Sequence, residues 1–314
     1  MDQTNHSVVV GESVVVKWFT PPAPLPQPAP DVLAHLAETG FTATATPYAA
    51  LCREGRLLAL VTAYLPGAVD GWQWCVEEAA AGRTAFAADL GALAADLHAA
   101  LATPSATFPD PVRRAHDLGR DLAARAEKAL REALALTGDT GDTAGDTDED
   151  TDGRWLRERA DALRAGLAPL ASTGPTPLVR VHGDLHVGQI LRWREGYAVI
   201  DFDGNPTVTE ADLHQPVARD LAQLTTSLEH AGQVAVRRRG ADPSATGRWA
   251  AEAVAVLGEA YLTRLAEHGH AGLLDRSLLH PFEIEQECRE LIYAARHLPR
   301  WRYAPMGVLR SRYP

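Results

Sequence analysis

The chain of 314 residues is 46% hydrophobic and 23% charged, long enough for one large domain or two lobes. It has no apolar run near 18 residues and no basic-then-apolar leader, so a cytoplasmic protein without a membrane partner is expected. The net charge of −11 owes much to Asp139, Asp142, Asp146, Asp148, Glu149, Asp150 and Asp152, and no basic face remains to suggest nucleic-acid binding.

Val8 to Val10 and Val14 to Phe19 read as β-branched strands joined by the tight turn Gly11-Glu12-Ser13. Lys17, one of only two lysines in the chain with Lys128, sits inside the second strand, where a charge needs a partner. Thr20 to Pro30 holds six prolines in eleven residues and reads as a stiff extended connector. Asp31 opens a short helix to about Thr39. Thr42 to Cys52 and Leu57 to Leu65, with Arg53 to Arg56 as the turn, complete a small sheet, which Pro66-Gly67 ends.

The chain then becomes helical. Phe86, Leu90, Leu93, Leu97 and Leu101 recur at helical spacing, predicting an amphipathic helix over 84–102. Helices are also expected over 112–136, 154–170, 214–230, 245–268 and 282–297. The Gly/Thr/Asp-rich stretch 137–153 reads as a disordered acidic loop. Cys52, Cys75 and Cys288 are scattered without a Cys-x-x-Cys, which fits neither a disulfide framework nor a cysteine zinc site.

Residues 182–189, His-Gly-Asp-Leu-His-Val-Gly-Gln, interrupt this pattern. They lie between the apolar run Leu178 to Val181 and the runs Ile190 to Trp193 and Tyr197 to Ile200, which close on Asp201-Phe202-Asp203. Strand pairing, at about 5 Å between neighbours, is expected to draw Asp184 and the two later carboxylates together. Such a group suits a divalent metal and a general base; the plain alternative is a solvated hairpin with acidic turns. His182 and His186 flank Asp184, but without cysteine company a zinc site is disfavoured.

His182-Gly183-Asp184 with Gln189, followed by Ile200-Asp201-Phe202-Asp203, resembles the catalytic and metal-binding loops of protein-kinase-like phosphotransferases of the aminoglycoside phosphotransferase and maltokinase branch. Gln3 to Ser7 leading into Val14-Val15-Val16-Lys17, Asp70-Gly71-Trp72 and Arg219-Asp220-Leu221-Ala222 are similar to maltokinase landmarks. The resemblance implies an α+β bilobal fold: a β-rich nucleotide-binding lobe over 1–65 and a helical lobe over 66–314 with the catalytic hairpin and acceptor site. It implies ATP and Mg²⁺ as cofactors, with Asp184 as catalytic carboxylate and Gln189, Asp201 and Asp203 as metal ligands. Lys17 matches the strand lysine that binds phosphates, with Asp31 where its carboxylate partner is expected. Ser7 falls in the phosphate-covering hairpin, and Thr62, Tyr64 and Leu65 in the hinge that meets adenine. His182, Arg219 and Asp220 are expected to brace the loop.

The acceptor site is expected near Pro281 to His297, where Glu283, Gln286, Glu287, Glu290, Tyr293 and His297 share one side of a helix, followed by Trp301. With Asp184 and His186, the residues Gln286, Glu287, Glu290 and Trp301 form the candidate acceptor set; an ordinary solvated helix face is the alternative. A polar, acidic face beside an aromatic ring suits a sugar, and an aminosugar better. Arg289-Glu290, Tyr293-Ala294 and Pro299-Arg300-Trp301 depart from the maltokinase arrangement. The resemblance thus lies nearer the actinobacterial aminosugar kinases, implying glucosamine as acceptor and its 6-hydroxyl as the site. Maltokinase, aminoglycoside phosphotransferase and a nucleotide-binding pseudokinase remain the competing readings. The expected partners are ATP and a small sugar, with the protein a monomer or weak dimer.

Overall fold

The computed structural model describes residues 5–115, 118–138, 148–204 and 214–314. Strands β1 (Asn5–Val10) and β2 (Val14–Pro24) form the first hairpin, followed by α1 (Pro28–Glu38), β3 (Pro47–Arg53) and β4 (Arg56–Ala63). The four strands make one antiparallel sheet in the order β1-β2-β4-β3.

The proline-rich stretch is not a connector. After a register shift, Ala23 and Pro24 pair with Leu57 and Arg56, beyond the point where β1 pairing stops at Asn5 and Phe19. Asn5 is the first described residue, and among the described residues no strand pairs with that side of β2 beyond Phe19, so the proline N–H groups interrupt no ladder bond there. Pro28 and Pro30 then fall in the first turn of α1, where a helix makes no use of those N–H groups. Thr42 to Thr46 contributes only an isolated bridge from Thr44 to Val199, so β3 starts five residues later than the apolar run suggested.

The helical part opens with α2 (Gly71–Ala81), which the sequence reading did not anticipate. The Asp70 carboxylate caps it, accepting from Trp72 N at 2.9 Å and Gln73 N at 3.3 Å. Next come α3 (Phe86–Leu101), β5 (Arg113–Ala115), α4 (Leu118–Gly138), α5 (Asp148–Glu158) and α6 (Ala160–Leu167). The expected helix over 112–136 thus begins with a strand, and that over 154–170 is two helices and a 3-10 turn. Thr137 and Gly138 belong to α4, and Asp148 to Gly153 belong to α5, which narrows the expected acidic loop; Asp139, Asp142 and Asp146 lie outside the described residues.

Strand β6 (Thr176–Arg180) precedes the hairpin of β7 (Ile190–Trp193) and β8 (Gly196–Val199), and β9 (His214–Gln215) follows. Here the structure corrects the sequence reading. β6 lies between β5 and β9 and does not pair with β7 or β8, so another device must bring Asp184 to Asp201. The chain ends with α7 (Ala218–Arg239), α8 (Pro243–Glu267), α9 (Leu279–His297) and the unanticipated α10 (Tyr303–Arg312).

One core runs from Phe19 in β2 through α1 to Met306 and Leu309 of α10. Helix α7 is buried along most of its length, and the fully enclosed Trp74, Tyr261 and Phe282 pack in this core. A smaller cluster of Ala45, Leu65 and Ala198 joins the four-stranded sheet region to the β7–β8 hairpin. Among the described residues no helix is long and apolar enough to cross a membrane.

Candidate active site

Helix α7 shapes the 182–189 loop. Asp220, in its first turn, accepts from His182 N at 2.7 Å and Gly183 N at 2.9 Å. One turn on, Gln223 Nε2 donates to Asp184 Oδ1 at 2.7 Å, and a further turn on Ser227 Oγ accepts from Val187 N at 3.0 Å. Residues i, i+3 and i+7 of a helix share a face, so this face meets the loop in chain order. Asp220 is fully buried and also lies 3.3 Å from His98 Nε2, whose Nδ1 meets the Tyr261 hydroxyl at 2.7 Å. Gly183 sits at φ +80, in the left-handed region open to glycine at little cost.

His182 joins the loop to the end of β8. Its Nε2 lies 3.0 Å from Ile200 O, while Nδ1 accepts from Asp184 N at 3.3 Å. This contact brings the Asp184 loop beside Asp201 without strand pairing between them. Arg219 is placed differently from expectation. It pairs with Glu285 at 3.0 Å and lies 4.3 Å over the Phe282 ring, so these contacts tie α7 to α9 and not to the loop.

Asp184 faces His186 Nε2 at 3.7 Å. Burial pushes its carboxyl up, but His186 and Gln223 outweigh this and hold it below the usual carboxylate range. His186 is shifted in the complementary sense: burial lowers it, and Asp184, Glu290 and Asp201 raise it further. The result is an ionised carboxylate held by the Gln223 donor and the nearby His186 ring, able to accept a proton from a neighbouring hydroxyl.

Lys17 Nζ lies 2.6 Å from both Asp201 Oδ1 and Asp203 Oδ2. Asp201 holds φ +66, a conformation Asp tolerates better than most residues. Asp31, the expected partner of Lys17, is instead exposed in the first turn of α1, where its charge suits the helix N-terminus. Asp203 Oδ1 is buried without a hydrogen-bond partner among the described residues, and burial raises its carboxyl against the pull of Lys17. An orphaned carboxylate oxygen beside a second carboxylate fits a hard divalent cation, which accepts one or two carboxylates and completes its shell with phosphate and water. Gln189, half-buried at the end of the 3-10 turn just before β7, would add an amide oxygen. No group of three or more His, Cys, Asp or Glu with metal-site spacing occurs among the described residues, so Asp201, Asp203 and Gln189 make a mixed set.

On the acceptor side, His186 lies against Trp72, with ring centroids 5.8 Å apart, and Trp72 packs edge-on against Trp301 at 5.5 Å. Trp72 reaches this place because Gly71 touches the loop: a Cβ there would sit 1.6 Å from Val187 O. Trp301 Nε1 donates to Glu290 Oε2 at 2.8 Å, and Gln286 Nε2 donates to Glu290 Oε1 at 3.0 Å. The α9 face is not the solvated one weighed as an alternative, since Gln286 and Glu287 are 8% and 0% exposed. Nor is it a single face for an acceptor. Glu283 turns to Thr225 and Arg312, and Glu287 lies buried against His230 at 2.9 Å.

Trp72, Gln223 and His230 also stand in the site region, and none of them is among the candidates read from the sequence. Asp70-Gly71-Trp72 was noticed as a landmark without a role. Asp220, Gln223 and Ser227 offered a signal in their shared helical face.

The His230–Glu287 pair carries a pH prediction. Burial lifts the Glu287 carboxyl to about 7, and the Glu287 charge lifts His230 to about 9 although burial alone would lower it. Both values exceed the ordinary 4.5 and 6.5, so the folded state holds extra protons and loses this stabilisation as pH rises. Glu287 contributes the loss between about 4.5 and 7, His230 that between 6.5 and 9. The fall in melting temperature over that range should flatten in a His230→Gln, Glu287→Gln double variant. An unchanged slope assigns the titration elsewhere.

On the nucleotide side, Ser7 faces Lys17 across the β1–β2 ladder, and Thr62 pairs with both Val15 and Pro47. Leu65 is buried at the sheet–hairpin junction. Tyr64 N already donates to Ser13 O at 2.9 Å, so that N–H is engaged within the sheet region and not offered to an adenine.

Residues 2–239 match the phosphotransferase enzyme family, APH. The glucosamine kinase of Streptacidiphilus jiangxiensis is 42% identical over 328 residues, covering 97% of this chain and 70% of that protein. The glucosamine kinase of Mycolicibacterium smegmatis (strain ATCC 700084 / mc(2)155) is 36% identical over 325 residues, covering 98% and 77%. A solved structure of glucosamine kinase in complex with glucosamine, ADP and inorganic phosphate has a TM-score of 0.83 at 37% identity, covering 98% of this chain and 79% of that one. The sheet-rich N-terminal part and large helical part are those of a protein-kinase-like fold, and the chain belongs to the phosphotransferase enzyme family.

Proposed function

We propose that this protein is an ATP- and Mg²⁺-dependent sugar kinase that transfers the γ-phosphate to glucosamine, at the 6-hydroxyl. The observation that carries the reading is one continuous wall: Asp184 meets His186, His186 meets Trp72, Trp72 meets Trp301, and Trp301 donates to Glu290. A carboxylate positioned to take a hydroxyl proton thus stands beside an aromatic surface that ends in a second carboxylate. Aromatic faces suit the C–H side of a sugar, and an acidic group suits its ammonium. The names of the aligned glucosamine kinases support the same acceptor.

In this reading Asp184 accepts the proton of the attacking hydroxyl, and Gln223 and His186 hold it in place. Phosphoryl transfer asks chiefly for positioning and charge neutralisation. Asp201, Asp203 and Gln189 would hold Mg²⁺, whose contribution when bound is to neutralise the polyphosphate. Lys17 then exchanges its carboxylates for phosphate oxygens, with Ser7 nearby. Residues 1–65 form the nucleotide lobe, in which the backbone near Thr62 and Leu65 borders the adenine, and residues 66–314 form the acceptor lobe.

The test is a panel of acceptors with ATP. Glucosamine should be consumed faster than glucose or maltose, and an aminoglycoside should not be; consumption of the aminoglycoside alone overturns the proposal. Glu290→Gln should raise the KM for glucosamine about tenfold, since a contact to a charged group is worth roughly 1.5 kcal/mol or more. The KM for glucose, which has no ammonium, should not move. Equal effects on both sugars would remove Glu290 from ammonium recognition.

A further inference from the structure

The 3-10 turn Pro299–Trp301 has a second side. While Trp301 faces the aromatic wall, the neighbouring Arg300, Arg302 and Tyr303 line a separate cavity of about 380 Å³. Its other walls come from α5, the end of α7 and α10, so four separate elements fix its shape. That volume is in the range of small-ligand pockets.

The lining runs against the sign of the whole chain. In a protein of net charge −11, Arg237, Arg300, Arg302 and Arg310 gather here with a single carboxylate among the described residues, Asp152. Arg310 engages that carboxylate at 2.8 Å, and Arg237 lies 4.9 Å over the Tyr303 ring, which orients its planar donor group. The Tyr303 hydroxyl is buried with no hydrogen-bond partner among the described residues, leaving a neutral donor beside the guanidinium cluster. Like charges brought together repel, and a concave cationic lining of this kind is relieved by an anion. The planar guanidinium fork matches the oxygens of a phosphate group.

We propose that this cavity binds a small phosphorylated anion, at a site separate from the catalytic one. Binding is through the phosphate group, held by Arg237 and Arg300, and the remaining volume leaves room for an attached sugar-sized group. The ligand touches the same short turn that presents Trp301. The inference does not depend on the acceptor's identity.

The experiment is calorimetric titration of the full chain with glucose 6-phosphate, inorganic phosphate or glucose, each in saturating non-hydrolysable ATP analogue, Mg²⁺ and glucosamine. One saturable site for a phosphorylated probe and none for glucose is expected. Affinity should fall about tenfold in Arg237→Ala and in Arg300→Ala, and Arg300→Lys should restore part of it. Both positions are exposed and lie on different elements, so melting curves can show that the variants fold. Tighter binding of glucose 6-phosphate identifies a phosphate ester as the ligand class, and equal binding identifies phosphate itself; either supports the site. Absence of saturable binding, or binding unchanged in both alanine variants, overturns it.

Discussion

Asp184→Asn lowers kcat by roughly 10²- to 10⁴-fold, the usual contribution of a positioned acid–base group, and leaves nucleotide affinity unchanged. The side chain keeps its size, and its remaining carbonyl oxygen can still accept from Gln223 Nε2, which lies 2.7 Å from Oδ1 in the native protein. What is lost is the charge that His186 stabilises and that the hydroxyl proton needs. Steady-state kinetics together with calorimetric binding of an ATP analogue separates the two quantities. Retained turnover would remove Asp184 from catalysis. A native protein that binds nucleotide without any transfer would instead make the chain a regulatory pseudokinase.

Asp220→Ala is expected to have the largest structural effect. The carboxylate is fully buried and accepts from two loop N–H groups. Truncation leaves both buried donors without a partner, at about 1–3 kcal/mol each. For a chain of this size that corresponds to a fall of roughly 3–9 °C in melting temperature. Turnover should also drop, because the backbone that carries Asp184 loses its anchor, while a nucleotide contact confined to the sheet should weaken less. A variant that melts early but turns over normally at low temperature would show that the loop holds its shape without Asp220.

The site was partly legible in the sequence because its chemistry is local. His182, Asp184, Gln189, Asp201 and Asp203 fall within 22 residues, and the structure places them around one loop and one strand end. What stayed hidden depends on packing between distant segments. Helix α2 begins with a glycine, a poor helix former, and only its close approach to Val187 explains that choice. Gln223 has no neighbour in sequence to mark it, since its partner Asp184 lies 39 residues away. The burial of Glu287 likewise follows from α7 crossing α9, which puts His230 opposite it. Proline misled in the other direction: six prolines suggest a connector, but position decides what each one costs. In the first turn of a helix it costs little.

The α7 face that meets the loop in order also constrains how this protein can change. Asp220, Gln223 and Ser227 act together because they stand at fixed helical intervals from one another. A side chain among them can be exchanged singly, at the expense of one contact. An inserted or deleted residue between 220 and 227 rotates everything beyond it by about 100°, moving whichever partners follow the change off the shared face. The length of this segment is therefore held more tightly than its composition, and drift within the family should appear here as substitution and not as gaps.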